Sequence, residues 1–215
     1  MWNTLRKTVT GALLLAGLGA CLAIEGGRFT PELSAEAMPE SAERMAADVP
    51  TATASVEAET QKLYSLLNAY RKEKGLAPIP YSAKLAKTAL THAQDLMKHQ
   101  PHKASGPNGA DCNLHSWSDQ GHWTPVCYTS DHRQAQKMWS KPREVAGYKA
   151  SGFEISAYAT GCHTAACWLK QWKNSPGHNQ VMVNGGIWAK HPWKAVGIGI
   201  AGDFANIWFG EVSDP

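Results

Sequence analysis

The chain has 215 residues, of which 43% are hydrophobic and 18% charged, and its formal net charge is +3 at pH 7. This length fits one domain of ordinary size with extra segments, and the composition can supply a buried core. Lysine and arginine are scattered without a dense run, which excludes the charge pattern of a nucleic-acid-binding protein.

The N-terminal residues predict export. "MWNTLRK" carries Arg6 and Lys7, and the apolar run after it is too short to span a bilayer. Small residues precede Cys21, as in bacterial lipoprotein signals whose cysteine is lipidated; an ordinary secretory signal is the alternative. We predict a lipoprotein-type signal peptide over 1–21 and a periplasmic or cell-surface protein. Leu22 after the cysteine favours an outer-membrane lipid anchor.

The segment that follows predicts a tether. Residues 22–55 are rich in Ala, Glu, Pro, Ser and Thr, and they contain few large apolar side chains. Such a composition does not bury enough surface to fold, so we expect a flexible acidic tether here and a folded domain over 56–215.

Two amphipathic helices open the domain. The first places Leu63, Leu66, Leu67 and Tyr70 on one face and ends near Gly75. The second starts at Ser82 as N-cap and also carries His92 and His99. Its apolar stripe consists of Leu85, Ala89, Leu90, Ala93, Leu96 and Met97.

The second half of the chain mixes loops, helices and strands. A third helix is predicted after Asp131, with Pro142 interrupting it or beginning another turn. "GFEISAYAT" predicts a strand, Thr164 caps a helix over "AACWLKQW", and two β-rich runs around Gly202-Asp203 predict an antiparallel hairpin. This order indicates an α+β fold, an α-β-α sandwich with a central antiparallel sheet flanked by helices.

Four cysteines remain if Cys21 is lipidated. In an exported chain an even number predicts disulfides, with three connectivities available. We favour the local pairs Cys112–Cys127 and Cys162–Cys167. A zinc site made from cysteine and histidine is the rival interpretation, but the spacing lacks the C-x2-C pairs of structural zinc sites.

The motifs, taken in order, resemble a known family. They are "LLNAYRKEKGLAPIPYSAKLAKTALTHAQDL", "NLHSWSD", "GFEI", "WKNSPGHNQVMV" and "WKAVGIGI" with "NIWFGE". Together they are similar to the CAP superfamily of cysteine-rich secretory proteins, antigen 5 and pathogenesis-related proteins, and to its bacterial SCP-like members. The resemblance covers about residues 56–213 and implies an α-β-α sandwich with an open cleft.

The resemblance also implies site residues. In many CAP domains two histidines and two glutamates line the cleft, and the histidines can hold zinc. The histidines match His115 in "LHSW" and His178 in "PGH". One glutamate best matches Glu154, shifted within its motif, and the position of the other is occupied by Ser175.

The same residues make chemical sense by themselves. Two imidazoles can ligate zinc, and a nearby carboxylate can orient the site or act as general base, the role we assign to Glu154. Pro176-Gly177 is expected to end one helix and present His178 after the turn. Glu144 is the second-choice carboxylate. We expect the cleft lining to include Ser116, Trp117, Glu144 and Ser175.

Three functions fit these predictions. The first is a monomeric binding module that holds a cell-envelope ligand in the cleft, whether an apolar molecule, a cell-wall fragment or a partner protein. The second is a zinc-assisted hydrolase of peptides or cell-wall polymers. The third is a structural role in the envelope, for which cleft substitutions would be harmless. We favour the binding module.

Overall fold

The computed structural model describes residues 52–106 and 109–214. The predicted signal peptide, the lipidation site Cys21 and the tether up to residue 51 lie outside these residues. Among the described helices, none combines the length and the apolarity needed to cross a membrane.

Six helices and three strands make up the described part of the chain, besides two short 3-10 turns at Pro101–Lys103 and Gly186–Lys190. In chain order they are α1 (Ala52–Glu73), α2 (Ala83–His99), α3 (Ala135–Trp139), α4 (Lys141–Ala146), β1 (Gly152–Tyr158), α5 (Ala165–Asn174), α6 (Pro176–Met182), β2 (Ala195–Ala201) and β3 (Phe204–Gly210).

The three strands form one antiparallel sheet in the order β1-β3-β2. The hairpin predicted around Gly202-Asp203 joins β2 to β3, and Gly202 takes the left-handed backbone conformation that the turn needs. Helices cover both faces of the sheet, which confirms the predicted α-β-α sandwich.

The backbone of α2 lies directly on β2. A Cβ on Gly197 would lie 2.0 Å from the Ala86 nitrogen, and one on Gly199 would lie 2.1 Å from the Leu90 nitrogen. Glycine at these two strand positions therefore allows the close approach of helix and sheet. This contact fixes the orientation of α2 on the sheet, and with it the position of His92.

The predicted caps are confirmed. Ser82 Oγ accepts a hydrogen bond from the Leu85 backbone N–H at 3.0 Å, and Thr164 Oγ1 accepts one from the Cys167 N–H at 3.3 Å. Both residues have extended backbone angles, as an N-cap requires. These local bonds position the starts of α2 and α5.

Both favoured disulfides are present. Cys112 and Cys127 pair across 5.0 Å between their Cα atoms, and Cys162 and Cys167 pair across 5.7 Å. The first closes the long loop between α2 and α3, for which a chain-entropy estimate gives about 3 kcal/mol.

Other predictions need correction. Leu90 and Met97, placed in the apolar stripe of α2, are 41% and 46% exposed because the stripe that contacts the sheet is narrower than expected. Helix α1 already begins at Ala52, within the predicted tether. The third helix predicted after Asp131 is present as α3, and Pro142 begins another helical turn, α4, which is one of the two alternatives that the sequence allowed.

Candidate functional site

Glu154 is the centre of a buried polar chain. It lies on β1, where successive side chains point to opposite faces of the sheet, and its carboxylate has no solvent exposure. One oxygen, Oε1, lies 2.5 Å from His92 Nδ1, and the other, Oε2, lies 2.8 Å from His115 Nδ1. A single carboxylate therefore joins two imidazoles from different elements.

Three features hold the loop that carries His115. The Cys112–Cys127 disulfide closes it, and Trp117 and Val126 exchange backbone hydrogen bonds of 2.8 and 3.1 Å across it. In addition, the buried Asp95 of α2 accepts bonds from the N–H and the hydroxyl of Ser118. The position of His115 is thus fixed from both sides even though it lies in a loop.

Glu154 fixes the tautomer of His115. A carboxylate only accepts hydrogen bonds, so Nδ1 of His115 must carry the proton that it donates to Oε2. In the neutral ring, Nε2 then keeps its lone pair, and it makes no hydrogen bond within the described part of the chain. With 22% of its side chain exposed, His115 can offer this nitrogen to a ligand.

His178 reaches the same region from α6. The helix break expected at Pro176-Gly177 falls one residue earlier: α5 ends at Asn174, Ser175 joins the two helices, and Pro176 lies in the first turn of α6. Burial lowers the pKa of His178 first, and the charge of His115 lowers it further, while Glu154 acts in the opposite direction. His178 is therefore within electrostatic range of both groups, and the net effect of its surroundings is to lower its pKa.

Glu154 retains its charge despite its burial. Burial alone would raise its pKa, but the hydrogen bonds of His92 and His115, with the positive charge that each ring carries when protonated at acid pH, together outweigh that effect and lower the pKa to about 2. Its oxygens are both occupied and no part of the side chain meets solvent. This arrangement favours an orienting role over the general-base role that we expected from the sequence.

Ser116 and Trp117, expected in the cleft lining, are buried behind the site. Ser116 has no exposed surface, and its Oγ accepts a hydrogen bond from the Tyr128 N–H at 2.9 Å. Trp117 is 2% exposed and stacks on His92. Packing of the loop against α2 and β3 turns both side chains inward.

Glu144 and Ser175, the other two residues expected in the cleft lining, lie on different elements. Glu144 accepts hydrogen bonds from the Lys141 ammonium at 2.8 Å and the Thr124 N–H at 2.7 Å, so its carboxylate joins α4 to the long loop. Ser175 is half-buried at the junction of α5 and α6, three residues before His178. Its place in the lining remains a prediction.

His92 is the site residue that sequence reasoning did not select. It follows Leu85 by seven residues and Ala89 by three, so it lies in the middle of the buried stripe of α2. A histidine at such a position must find polar partners inside the protein. A histidine in the apolar stripe of a helix could therefore have been selected from the sequence as a site residue, but its partner Glu154 could not.

The donor set can be compared with the needs of zinc. His115 Nε2 and the His178 ring are imidazole nitrogens, a donor type that zinc accepts. Among residues 52–106 and 109–214, however, no three histidine, cysteine, aspartate or glutamate side chains are grouped to hold a metal. His115 and His178 thus offer two imidazole donors, fewer than the three or four protein ligands of ordinary zinc sites.

One family model matches most of the chain. The model of the cysteine-rich secretory protein family, CAP, matches residues 64–203. No individual curated protein matches the chain significantly in sequence.

Two solved bacterial structures are similar to the chain. An extracellular protein containing an SCP domain from Bacillus anthracis str. Ames has 16% identity and a TM-score of 0.49, over 75% of this chain and 44% of that one. A cysteine-rich secretory protein from Staphylococcus aureus subsp. aureus Mu50 has 18% identity and a TM-score of 0.46, over 76% and 40%. This chain thus spans less than half the length of either protein. On the family match, the chain belongs to the cysteine-rich secretory protein (CAP) family.

Proposed function

We propose that this CAP domain works outside the cytoplasm and binds a cell-envelope ligand at His115 and His178, either directly or with a zinc ion between them. The observation that carries the proposal is the bond from His115 Nδ1–H to Glu154, which leaves Nε2 of this partly exposed ring without a hydrogen bond in the described part of the chain. His178 lies within electrostatic range of His115, and its surroundings lower its pKa. Zinc, when bound, would supply a positive charge to which an acidic ligand group coordinates.

Placement outside the cytoplasm is supported by the two disulfides, because such bonds persist in oxidising compartments. The N-terminal pattern predicts the same location. Lipidation at Cys21 would anchor the domain to a membrane without spanning it.

The polar character of the site favours one ligand class. An imidazole nitrogen with a free lone pair accepts hydrogen bonds from ligand donors such as amides and hydroxyls, which an apolar ligand does not offer. Cell-wall fragments carry amide and hydroxyl donors, so they fit this nitrogen better than a sterol-like molecule does.

Binding to cell-wall material tests the proposal. The purified full chain is mixed with insoluble peptidoglycan and sedimented, with and without added zinc, and zinc binding is measured separately by calorimetry. His115→Ala and His178→Ala should each weaken binding by tenfold or more, since each removes one of two protein donors. His122→Ala is the matched control, because His122 is an exposed histidine of the same loop.

Equal sedimentation of all four proteins, or no sedimentation under either condition, would contradict the proposal. Turnover of a peptide, ester or glycan by the zinc-loaded protein would favour the hydrolase instead.

A further inference from the structure

His92 is completely buried, and each of its ring nitrogens faces an acceptor. Nδ1 lies 2.5 Å from Glu154 Oε1, and Nε2 lies 2.9 Å from the backbone oxygen of Ser116. A carbonyl oxygen cannot donate, so Nε2 must carry a proton. A neutral ring has only this one N–H, so the hydrogen bond between Nδ1 and an ionised Glu154 needs a second proton. The His92–Glu154 pair therefore holds one proton more than a neutral ring and an ionised carboxylate would.

The surroundings place this additional proton on His92. Trp117 stacks on the imidazole with 4.1 Å between ring centroids and 5° between ring planes. The negative face of an indole stabilises a positively charged ring above it. Glu154 also accepts from His115, and an ionised carboxylate accepts two such bonds better than a protonated one does.

His92 also contacts the chain right next to His115. Its Nε2–H bonds the carbonyl oxygen of Ser116, while its Nδ1–H bonds the carboxylate that receives His115 Nδ1–H. One rigid ring on α2 therefore holds both the backbone beside His115 and the group that orients the His115 ring.

We propose that His92 is a positioning residue: its doubly protonated ring holds the Glu154 carboxylate, which in turn keeps His115 in the Nδ1–H tautomer with Nε2 free. The inference deepens the proposed function, since it concerns the same site. It makes His115 a preorganised acceptor nitrogen before any ligand arrives.

Nitrogen NMR of the histidine side chains tests this directly. In the 15N-labelled, metal-free full chain at neutral pH, both nitrogens of His92 should resonate as protonated, and His115 should have a protonated Nδ1 and an unprotonated Nε2. An unprotonated Nδ1 on His92, or a mixture of tautomers on His115, would overturn the proposal. The wild-type spectrum suffices, so the test does not depend on a variant that folds.

Two variants sharpen the result. Glu154→Gln should remove one proton from His92 and leave His115 as a mixture of tautomers. His92→Gln should leave His115 mixed and raise the zinc Kd by about 10- to 100-fold. His122→Gln is the control and should change neither histidine.

A wild-type spectrum as expected, together with failure to bind zinc or cell-wall material, would refute the proposed function and leave the role of His92 intact. Binding of the ligand by a protein whose His92 Nδ1 is unprotonated would support the proposed function and refute the role of His92.

Discussion

The two faces of the sheet are both buried, but they are built from different chemistry. On β1, Phe153 and Ile155 join the apolar cluster formed with α1, α5 and α6. Between and beyond them, Glu154 and Ser156 point to the α2 side, where they meet His92 and Asn206. Neighbouring residues of one strand therefore contribute to two different cores. The core on one face is stabilised by the burial of apolar surface, whereas the core on the other face also requires that its buried polar and charged groups are paired.

This contrast predicts different responses to substitution. The apolar face gains stability in proportion to the surface that it removes from water, so changes that conserve volume are tolerated there. On the polar face, removal of one member of an ion pair leaves the other charge buried and unpaired, and the loss of stability depends on whether that second charge is also removed. The following experiments test this difference, from the largest expected effect to the smallest.

Removing the carboxylate should have the largest effect. Glu154→Leu leaves the His92 charge without its partner in a site with no solvent exposure, and the free energy of unfolding should fall by about 3–5 kcal/mol. Urea unfolding of the full chain measures it.

The double variant Glu154→Leu/His92→Phe is the matched control. Because it leaves no charge unpaired, it should recover much of that loss. A double variant as unstable as the single one would mean that the two side chains do not form an ion pair.

A truncation on the apolar face should cost somewhat less on average. Ile155→Ala, at a position with no exposure, should lower the free energy of unfolding by about 2–5 kcal/mol through lost burial and a cavity. Ile155→Val should cost only about 0.5–1.5 kcal/mol by the same urea assay. Similar losses for both variants would show that packing at Ile155 is not the source of the effect.

Low pH should reduce the contribution of the polar face to stability and leave that of the apolar face unchanged. The pKa of Glu154 is lowered from 4.5 to about 2 in the folded protein, because the charges and bonds of His92 and His115 outweigh its burial. Its contribution to stability is therefore complete above about pH 4.5 and is lost as the pH falls toward 2.

Unfolding free energies measured across this window should converge for wild type and Glu154→Gln as the pH falls. The gap between wild type and Ile155→Ala should stay nearly constant, since no charge differs between them. A constant gap for Glu154→Gln would contradict the assigned pKa.

The smallest effects are expected at the helix caps. Ser82, which begins α2 on the polar side, has no exposure and also donates to Asp214 at 2.6 Å, so Ser82→Ala should cost about 1–2 kcal/mol. Thr164, which caps α5 on the apolar side, is exposed, and Thr164→Ala should cost about 0.5–1 kcal/mol by thermal unfolding. The reverse order would mean that the Asp214 contact adds nothing.

Much of the fold could be predicted from local patterns. The 3.6-residue periodicity of α1 and α2, the caps at Ser82 and Thr164, and the turn at Gly202-Asp203 are each decided within a few residues of chain. The short sequence separation of Cys162 and Cys167 likewise favoured their pairing. The exposure of Leu90 was missed because periodicity defines the apolar face of a helix but not how widely a partner covers it.

The candidate site depended more on tertiary structure. The sequence by itself determined most element types, favoured the correct cysteine pairs and supplied a set of candidates that included His115, His178 and Glu154. Only the folded chain decided that His92 meets Glu154 across 62 positions, and that Ser116 and Trp117 turn inward. The reason is physical: side-chain periodicity reports which face of its own element a residue occupies, whereas a hydrogen bond between elements depends on how those elements pack.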